Sequence, residues 1–500
     1  MNSYLRIGNI APAKARRLPA VVEYLGNFAS FRGLETYLVG GVLRDSMLGR
    51  DSRDIDIAVV ADSYVIGQEL ASFLGGRFVT LGSIKGNTRV VINDNTGPVF
   101  IDICSIRQDI FQDLKRRDFT IDAMALLLSN SSAEGWWDHL IDLDGGLADL
   151  KDGLIRIVSP RVFKADPVRL LRALRLSRQL RFEITKETKR LISQDSHLIS
   201  DVAAERVRDE FLKVLAEEGA TSSLRLLDYL GLLCKIIPEL NDSKEMIQNG
   251  EHYWDVFNHL IETPGQVEKI LSRQHERYEI FEEAIPDFVR IQEYFAEEVS
   301  DGYTRLTMLK LAGLLHDIAK PATKTVESSG RIRFLGHDVL GSEMCGEILQ
   351  RLRISTRGVE SVKLMVQSHL RPNQLAPKGE LPSGRAIYRY FRDLGGVALD
   401  TLYLNLADHL AASGPRLKID EWLRNCRLIK HIMNEGSKYN SKETYQKLLN
   451  GDDIMSIFSM GSGPKIGVLL SLVREAQFNG EIKTKEEAIK LLKTNYVRTV

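Results

Sequence analysis

Twenty consecutive residues constrain this chain more than any other stretch. They read Leu38-Val39-Gly40-Gly41-Val42-Leu43-Arg44-Asp45-Ser46-Met47-Leu48-Gly49-Arg50-Asp51-Ser52-Arg53-Asp54-Ile55-Asp56-Ile57. An apolar strand at Tyr37–Val39 runs into a Gly-Gly turn. A helix carrying Arg44 and Asp45 follows and stops at Gly49. A second strand then sets Asp54 and Asp56 two residues apart. Adjacent glycines let backbone N–H groups approach a ligand closely, and a helix start adds partial positive charge there. Residues i and i+2 of a strand share a face, so Asp54 and Asp56 point one way while Ile55 and Ile57 face the core. A phosphate cradle at Gly40 and Gly41, beside a carboxylate pair suited to Mg²⁺, is the layout for in-line phosphoryl or nucleotidyl transfer. Neither half is specific alone: most Gly-Gly turns are only turns, and most Asp-x-Asp pairs are solvated strand ends. Together, with Asp54 13 residues after Gly41, they predict a nucleotide site.

The neighbouring sequence builds a small α+β domain around that stretch. Val21, Val22, Leu25 and Phe28 recur at helical spacing. Ser63–Leu74 reads as a helix with Ser63 as its cap and Gly75-Gly76 as its stop. Strands are predicted at Arg77–Leu81, Arg89–Ile92 and Val99–Ile103, the last containing Asp102, and Gly82–Thr88 reads as a loop. Lys115-Arg116-Arg117-Asp118-Phe119-Thr120-Ile121-Asp122 reads as a helix start, capped by Asp118 or Thr120. An arginine pair beside a triphosphate clamps it, and a following carboxylate accepts a bond from a ribose hydroxyl. In Ala165-Asp166-Pro167-Val168-Arg169-Leu170-Leu171-Arg172, Pro167 suits a first helical turn, which puts Asp166 at the N-cap and Arg169 one turn on. Taken alone these residues fit an ordinary capped helix with an Asp–Arg pair; acceptor and donor together can also present a protein-borne Watson–Crick-like edge to a base, with Arg172 continuing that ridge toward phosphate.

Composition narrows the rest. Five hundred residues, 44% hydrophobic and 27% charged, describe a globular protein of two to four domains. Net charge is zero, so any RNA affinity comes from local basic surface. Cys104, Cys234, Cys345 and Cys426 form no C-x-x-C pair, which argues against a disulfide framework or zinc ribbon and fits a reducing, cytoplasmic setting. No run of about 18 apolar residues predicts a membrane span. Lys14, Arg16 and Arg17 precede no apolar segment of the signal-peptide kind.

The pattern resembles the class II tRNA nucleotidyltransferase and poly(A) polymerase family, within the polymerase-β-like nucleotidyltransferases. The resemblance covers nearly the whole chain in order. It implies a head at residues 1–160 with a small mixed sheet, a helical neck at 161–245, an HD metal-dependent phosphohydrolase domain at 246–415, and a helical tail at 416–500. It also implies that Asp102 completes the acidic cluster of Asp54 and Asp56. Arg44 and Arg117 then meet the triphosphate, Asp118 the sugar, and Gly82–Thr88 helps switch between nucleotides. Asp142-Leu143-Asp144-Gly145-Gly146 matches the third motif, a structural or hinge-like turn. Asp166 and Arg169 read cytosine or adenine without a nucleic-acid template, and Ala204–Phe211 matches the neck motif that carries the primer end. Two positions depart from the family: Asp122 replaces Asn, and Ala165 replaces a Glu that buttresses the base-reading pair.

A second centre is expected at His259, His316-Asp317, His337, His369 and Asp408. A lone helical His is commonly a satisfied core residue. The early His, the His-Asp pair between apolar runs and the late Asp form the HD signature, and mixed imidazole and carboxylate donors suit Mg²⁺, Mn²⁺, Ni²⁺ or Fe. The function expected from the resemblance is addition or repair of the 3′ CCA of tRNA from CTP and ATP, with hydrolysis of phosphoesters at the HD site. Addition of CC, A or poly(A) alone fits the same motifs. An HD phosphohydrolase with a nucleotide-sensing head is the alternative of another class. Oligomeric state is not encoded in any motif. The tail is helical and basic, with helix boundaries at Leu449–Ile454 and Gly463–Gly467.

Overall fold

The structure, a computed structural model, describes residues 18–80, 87–95, 97–106, 109–132, 135–248, 252–272, 283–377, 379–440 and 447–496. Most of the predicted Gly82–Thr88 loop, like Lys14, Arg16 and Arg17, lies outside them. The chain divides into two compact units: Met1–Val214 with Leu227–Ile236, and Leu215–Leu226 with Ile237–Val500.

The first unit is built on a mixed sheet of seven strands. These are β1 (Thr36–Val39), β2 (Asp54–Val59), β3 (Arg77–Thr80), β4 (Asn87–Asp94), β5 (Gly97–Ser105), β6 (Met124–Leu127) and β7 (Ile141–Asp142). Their order is β3-β4-β5-β2-β1-β6-β7. Only β2 and β5 run parallel; the other neighbours are antiparallel. All four residues of β1 are buried. In β2, Ile55 and Ile57 are buried while Asp54 is exposed and Asp56 half-buried, the alternation its sequence predicts. Three helices support this sheet: α1 (Val21–Arg32), α2 (Gly41–Met47) and α3 (Ser63–Leu74). The cap of α3 is Asp62, whose carboxylate accepts from the Tyr64 N–H, rather than Ser63. Ser63 is fully buried instead, its N–H donating to Ser105 Oγ.

Two local expectations change. Thr120–Asp122 forms a single 3₁₀ turn and not a helix start. Met124–Leu127 then pairs with β1, because this apolar run fills the open edge of a buried strand. Farther on, the helix expected to begin at Pro167 begins at Arg169. Asp166 makes no side-chain cap; its carbonyl accepts from the Arg169 N–H.

The second unit is mostly helical. Helices Val256–Ser272, Arg305–Leu315, His337–Arg351, Thr356–Ser368 and Ala398–Ser413 form one bundle, with a short hairpin at Lys324–Val326 and Ile332–Phe334. Residues farther along form helices Ile419–Asn440, Gly451–Phe458, Pro464–Phe478 and Lys485–Tyr496. Asn450 and Asp453 close a capping box at one expected boundary, and Pro464 opens a helix at the other. A separate apolar cluster, including Leu449, Ile454, Val473 and Leu492, holds the last three of these helices together.

Candidate active site and metal centre

The turn before α2 places the first site. Gly40 has φ +75° and ψ −146°, a conformation essentially reserved for glycine. A Cβ built there lies 3.0 Å from Asp56 Oδ2 and 3.1 Å from Arg117 Nη1. The bare backbone of the turn, the Asp56 carboxylate and the Arg117 guanidinium therefore converge on one spot. Across the parallel pair, Asp56 stands directly opposite Asp102 and Asp54 opposite Phe100, so three carboxylates share one face of β2 and β5. Burial pushes the Asp56 carboxyl up to about 6; Arg117 opposes this, while Asp102, Asp122 and Asp54 add to it.

Each expected ligand-binding residue already has protein partners. Arg44 is nearly fully buried. It forks onto Asp45 at 2.9 Å through both Nε and Nη2, and Nη1 donates to Asp122 Oδ1 at 2.7 Å. The extra charge at Asp122 is thus matched by Arg44. Arg117 donates from Nε to Asp113 Oδ2 at 3.0 Å. Burial pushes Asp118 up, but Arg172, 2.9 Å away, outweighs it and holds the carboxyl below its ordinary value. Arg172 also lies 3.5 Å from Glu210, which accepts from Arg175 at 2.6 Å. Arg169 donates to the carbonyls of Arg116 and Val162, at 3.2 and 3.5 Å, while its Nε is buried without a hydrogen-bond partner. Asp166 accepts from Arg206 at 2.8 Å and not from Arg169.

Two partners escaped the sequence reading. Arg89 on β4 faces Asp102 and grips it at 2.6 and 2.7 Å, a pairing visible only from strand register. Arg206 lies within the fifth motif, but nothing in its spacing points to Asp166. The third motif works through its backbone. Asp142 accepts from the N–H groups of Gly146 and Leu147, and Asp149 accepts from Thr120 Oγ1 at 2.6 Å and from Arg156 at 2.9 Å. It ties the 3₁₀ turn after Asp118 to the helix Gly146–Asp152.

The second centre gathers all six expected side chains. His259 comes from Val256–Ser272 and Asp408 from Ala398–Ser413, while His337 opens His337–Arg351. His316 and His369 follow directly on Arg305–Leu315 and Thr356–Ser368. Ligand atoms of His259, His316, Asp317 and Asp408 lie within 4.8 Å of one another, as do those of Asp317, His337 and His369. Asp317 joins the two groups. His316, His337 and His369 each bond through Nδ1 to the carbonyl three residues back, at 2.9, 2.6 and 2.6 Å. The Nδ1–H groups donate to those carbonyls, which leaves the Nε2 atoms facing Asp317. Asp317 Oδ1 and His337 Nε2 are buried without hydrogen-bond partners. Orphaned buried donor atoms of this kind fit a bound cation. Among the described residues, no such group of three lies in the first unit; there Asp102 is turned to Arg89.

Electrostatics around the second centre are strongly coupled. Burial lowers His316, but Asp317 and Asp408 outweigh it and raise the imidazole to about 10. Burial and the neighbouring His316 push His369 down to about 4. Lys320 Nζ, 2.5 Å from Asp317 and 2.6 Å from Gln248, was missed although the Asp-x-x-Lys spacing places it one turn on. The cluster opens into a cleft of roughly 240 Å³, lined also by His252, Lys320 and Arg331.

Comparisons with known proteins give the family and the fold. The family described as "Poly A polymerase head domain" matches residues 36–156, "Probable RNA and SrmB- binding site of polymerase A" matches 181–244, and "HD domain" matches 289–413. An A-adding tRNA nucleotidyltransferase from Deinococcus radiodurans is 32% identical over 460 residues, 90% of this chain and 93% of the relative. The chain belongs to the tRNA nucleotidyltransferase family. A second member of that family, a CC-adding tRNA nucleotidyltransferase from Thermus thermophilus, is 28% identical over 92% of this chain and 94% of its own. The fold is that of the Thermotoga maritima CCA-adding enzyme complexed with tRNA, at TM-score 0.60 and 21% identity, covering 97% of this chain and 98% of that one. As a tRNA nucleotidyltransferase, the chain is an enzyme that transfers nucleotides.

Proposed function

We propose that this nucleotidyltransferase adds or repairs the 3′-terminal CCA of tRNA, using CTP and ATP without a nucleic-acid template. The observation that carries the reading is the convergence of the Gly40 backbone, Asp56 and Arg117 on the carboxylate face of β2. Asp54 and Asp56 would hold Mg²⁺, which suits hard oxygen donors. When bound, Mg²⁺ lowers the pKa of a ribose 3′-OH and stabilises departing pyrophosphate. The backbone of Gly40 and Gly41 leaves room for the triphosphate, and Arg117 grips it. Arg44 acts one step back, since Asp45 and Asp122 occupy its donors. Asp118, fixed by Arg172, accepts from the ribose; Asp102, fixed by Arg89, is the third carboxylate of the face.

The buried, unpartnered Arg169 Nε and the Asp166 carboxylate read the base. Cytosine and adenine each carry an exocyclic amino donor where guanine and uracil carry a carbonyl. A carboxylate acceptor beside a guanidinium donor favours the first two.

At the second centre we assign a divalent metal, Mg²⁺, Mn²⁺, Ni²⁺ or Fe, to His259, His316, Asp317 and Asp408, while Asp317, His337 and His369 would hold a second cation. That arrangement suits hydrolysis of phosphoesters, and Lys320 steadies Asp317. The proposed organisation keeps the head at 1–160, neck at 161–245, HD domain at 246–415 and tail at 416–500. Four cysteines without a disulfide support a cytoplasmic setting.

The Deinococcus and Thermus relatives favour a second reading, in which this enzyme adds only A or only CC. Extension of tRNA transcripts lacking A, CA or CCA, with each NTP in turn, separates the two. Growth by three nucleotides to CCA supports the first reading; growth that stops after CC, or that occurs only on the transcript lacking A, supports the second.

A further inference from the structure

Ala165 stands where the base-reading pair of many family members has a supporting Glu, yet the Asp166 carboxylate is not left loose. Arg206 Nη2 donates to its Oδ2 at 2.8 Å, and among the described residues no donor is seen on Oδ1. We propose that Arg206 is a specificity-determining residue of the nucleotidyltransferase reaction: it fixes the Asp166 carboxylate so that Oδ1 faces the exocyclic amine of the incoming base. This rests on the assignment of Asp166 and Arg169 as the base reader.

The physical argument starts from the short aspartate side chain. With two torsions and two equivalent oxygens, an untethered carboxylate can swing away or recruit water, and both outcomes blur the choice between an amine and a carbonyl. One charge-assisted bond to Oδ2 removes that freedom. The Arg169 guanidinium does not do this, because its Nη donors go to the carbonyls of Arg116 and Val162. Its orphaned Nε then supplies a donor that the ring nitrogen of cytosine or adenine accepts. Arg206 is also well placed to be rigid. It sits on the helix Ala204–Ala216, four residues before the buried Glu210, which takes Arg175 at 2.6 Å and lies 3.5 Å from Arg172. Arg172 in turn holds Asp118. A single helix thus sets both the base-facing carboxylate and the arginine behind the ribose-facing one.

The test uses the full-length enzyme and the tRNA end that it extends, with single-nucleotide incorporation of CTP, ATP, UTP and GTP. Arg206 is half-exposed, so its replacement leaves the fold intact, which a thermal melt verifies. For Arg206→Gln, the preference for the accepted nucleotide over UTP and GTP, as a ratio of kcat/KM, falls about tenfold or more, the scale of one charge-assisted bond. Arg206→Lys restores part of it. Asp166→Asn is run beside them. Collapse of selectivity in Asp166→Asn with none in Arg206→Gln overturns the role of Arg206 alone. Unchanged selectivity in Asp166→Asn overturns the base-reading assignment and this inference with it.

Discussion

Gly40 is the residue on which the first site turns. Its φ of +75° and the 3.0 Å approach of Asp56 Oδ2 leave no place for a side chain. Gly40→Ala is expected to cost about 1–3 kcal/mol of stability and to lower nucleotide addition by roughly tenfold or more through displacement of Asp56 and Arg117. Denaturant melts and primer-extension rates measure both, and a wild-type rate at unchanged stability contradicts the placement. Asp56 gives a pH signature. Its carboxyl titrates at an ordinary 3.8 when unfolded and at about 6 when folded, chiefly through burial. Between these values the folded head holds a proton that the unfolded chain lacks. This group's contribution to stability therefore grows as pH falls through the window and is lost as pH rises through 6. Cation binding runs the other way, because the carboxylate must be free. Mn²⁺ affinity at the head is expected to fall about tenfold per unit below pH 6, and Asp56→Asn should flatten the curve. Isothermal titration across pH 5 to 7 measures it, and a flat wild-type curve contradicts the assignment. At this scale the sequence was most informative. Gly40, Asp54 and Asp56 could be read from types and spacing, whereas Arg89 and Arg206 could not, because strand register and helix packing choose their partners.

Among the elements, strand β2 with its alternating aspartates was legible because period-two burial leaves a strong pattern. The segment after Asp118 was not. Its polar start suggests a helix cap, but the open edge of β1 takes Met124–Leu127 as a strand, a tertiary effect that no local propensity encodes. The helix expected from Pro167 starts at Arg169, after a turn in which the Asp166 and Pro167 carbonyls accept from the Arg169 and Leu170 N–H groups. Gly146 belongs to this scale as well. A Cβ there would sit 2.2 Å from the Thr120 carbonyl oxygen, so the third motif must keep a bare backbone against the 3₁₀ turn. Gly146→Ala is expected to cost about 3 kcal/mol and to weaken nucleotide binding together with stability, since Thr120 adjoins Asp118. Calorimetric melting with and without CTP reports both effects; an unshifted melting temperature contradicts the contact.

At the scale of the whole molecule, the two candidate centres fall in different compact units. The side chains of the second cluster were legible as candidate ligands because a His-Asp pair between apolar runs is rare. Their convergence was expected from the resemblance and not from local propensity, since five helices and the residues that follow them, far apart in sequence, supply these side chains. Asp54→Ala with Asp56→Ala is expected to abolish nucleotide addition and spare phosphoester hydrolysis. His316→Ala or Asp317→Ala should remove metal from the second centre by elemental analysis and abolish hydrolysis, while leaving addition within about twofold. Loss of both activities from either change contradicts independent centres. The central claim is that the Gly40–Asp56 stretch drives template-independent growth of a tRNA end. The most direct measurement incubates tRNA transcripts lacking A, CA or CCA with CTP, ATP, UTP or GTP and sizes the products at nucleotide resolution. Incorporation of CTP and ATP to a complete CCA end, with UTP and GTP refused, is the predicted result; incorporation of neither CTP nor ATP at any of the three ends would contradict it.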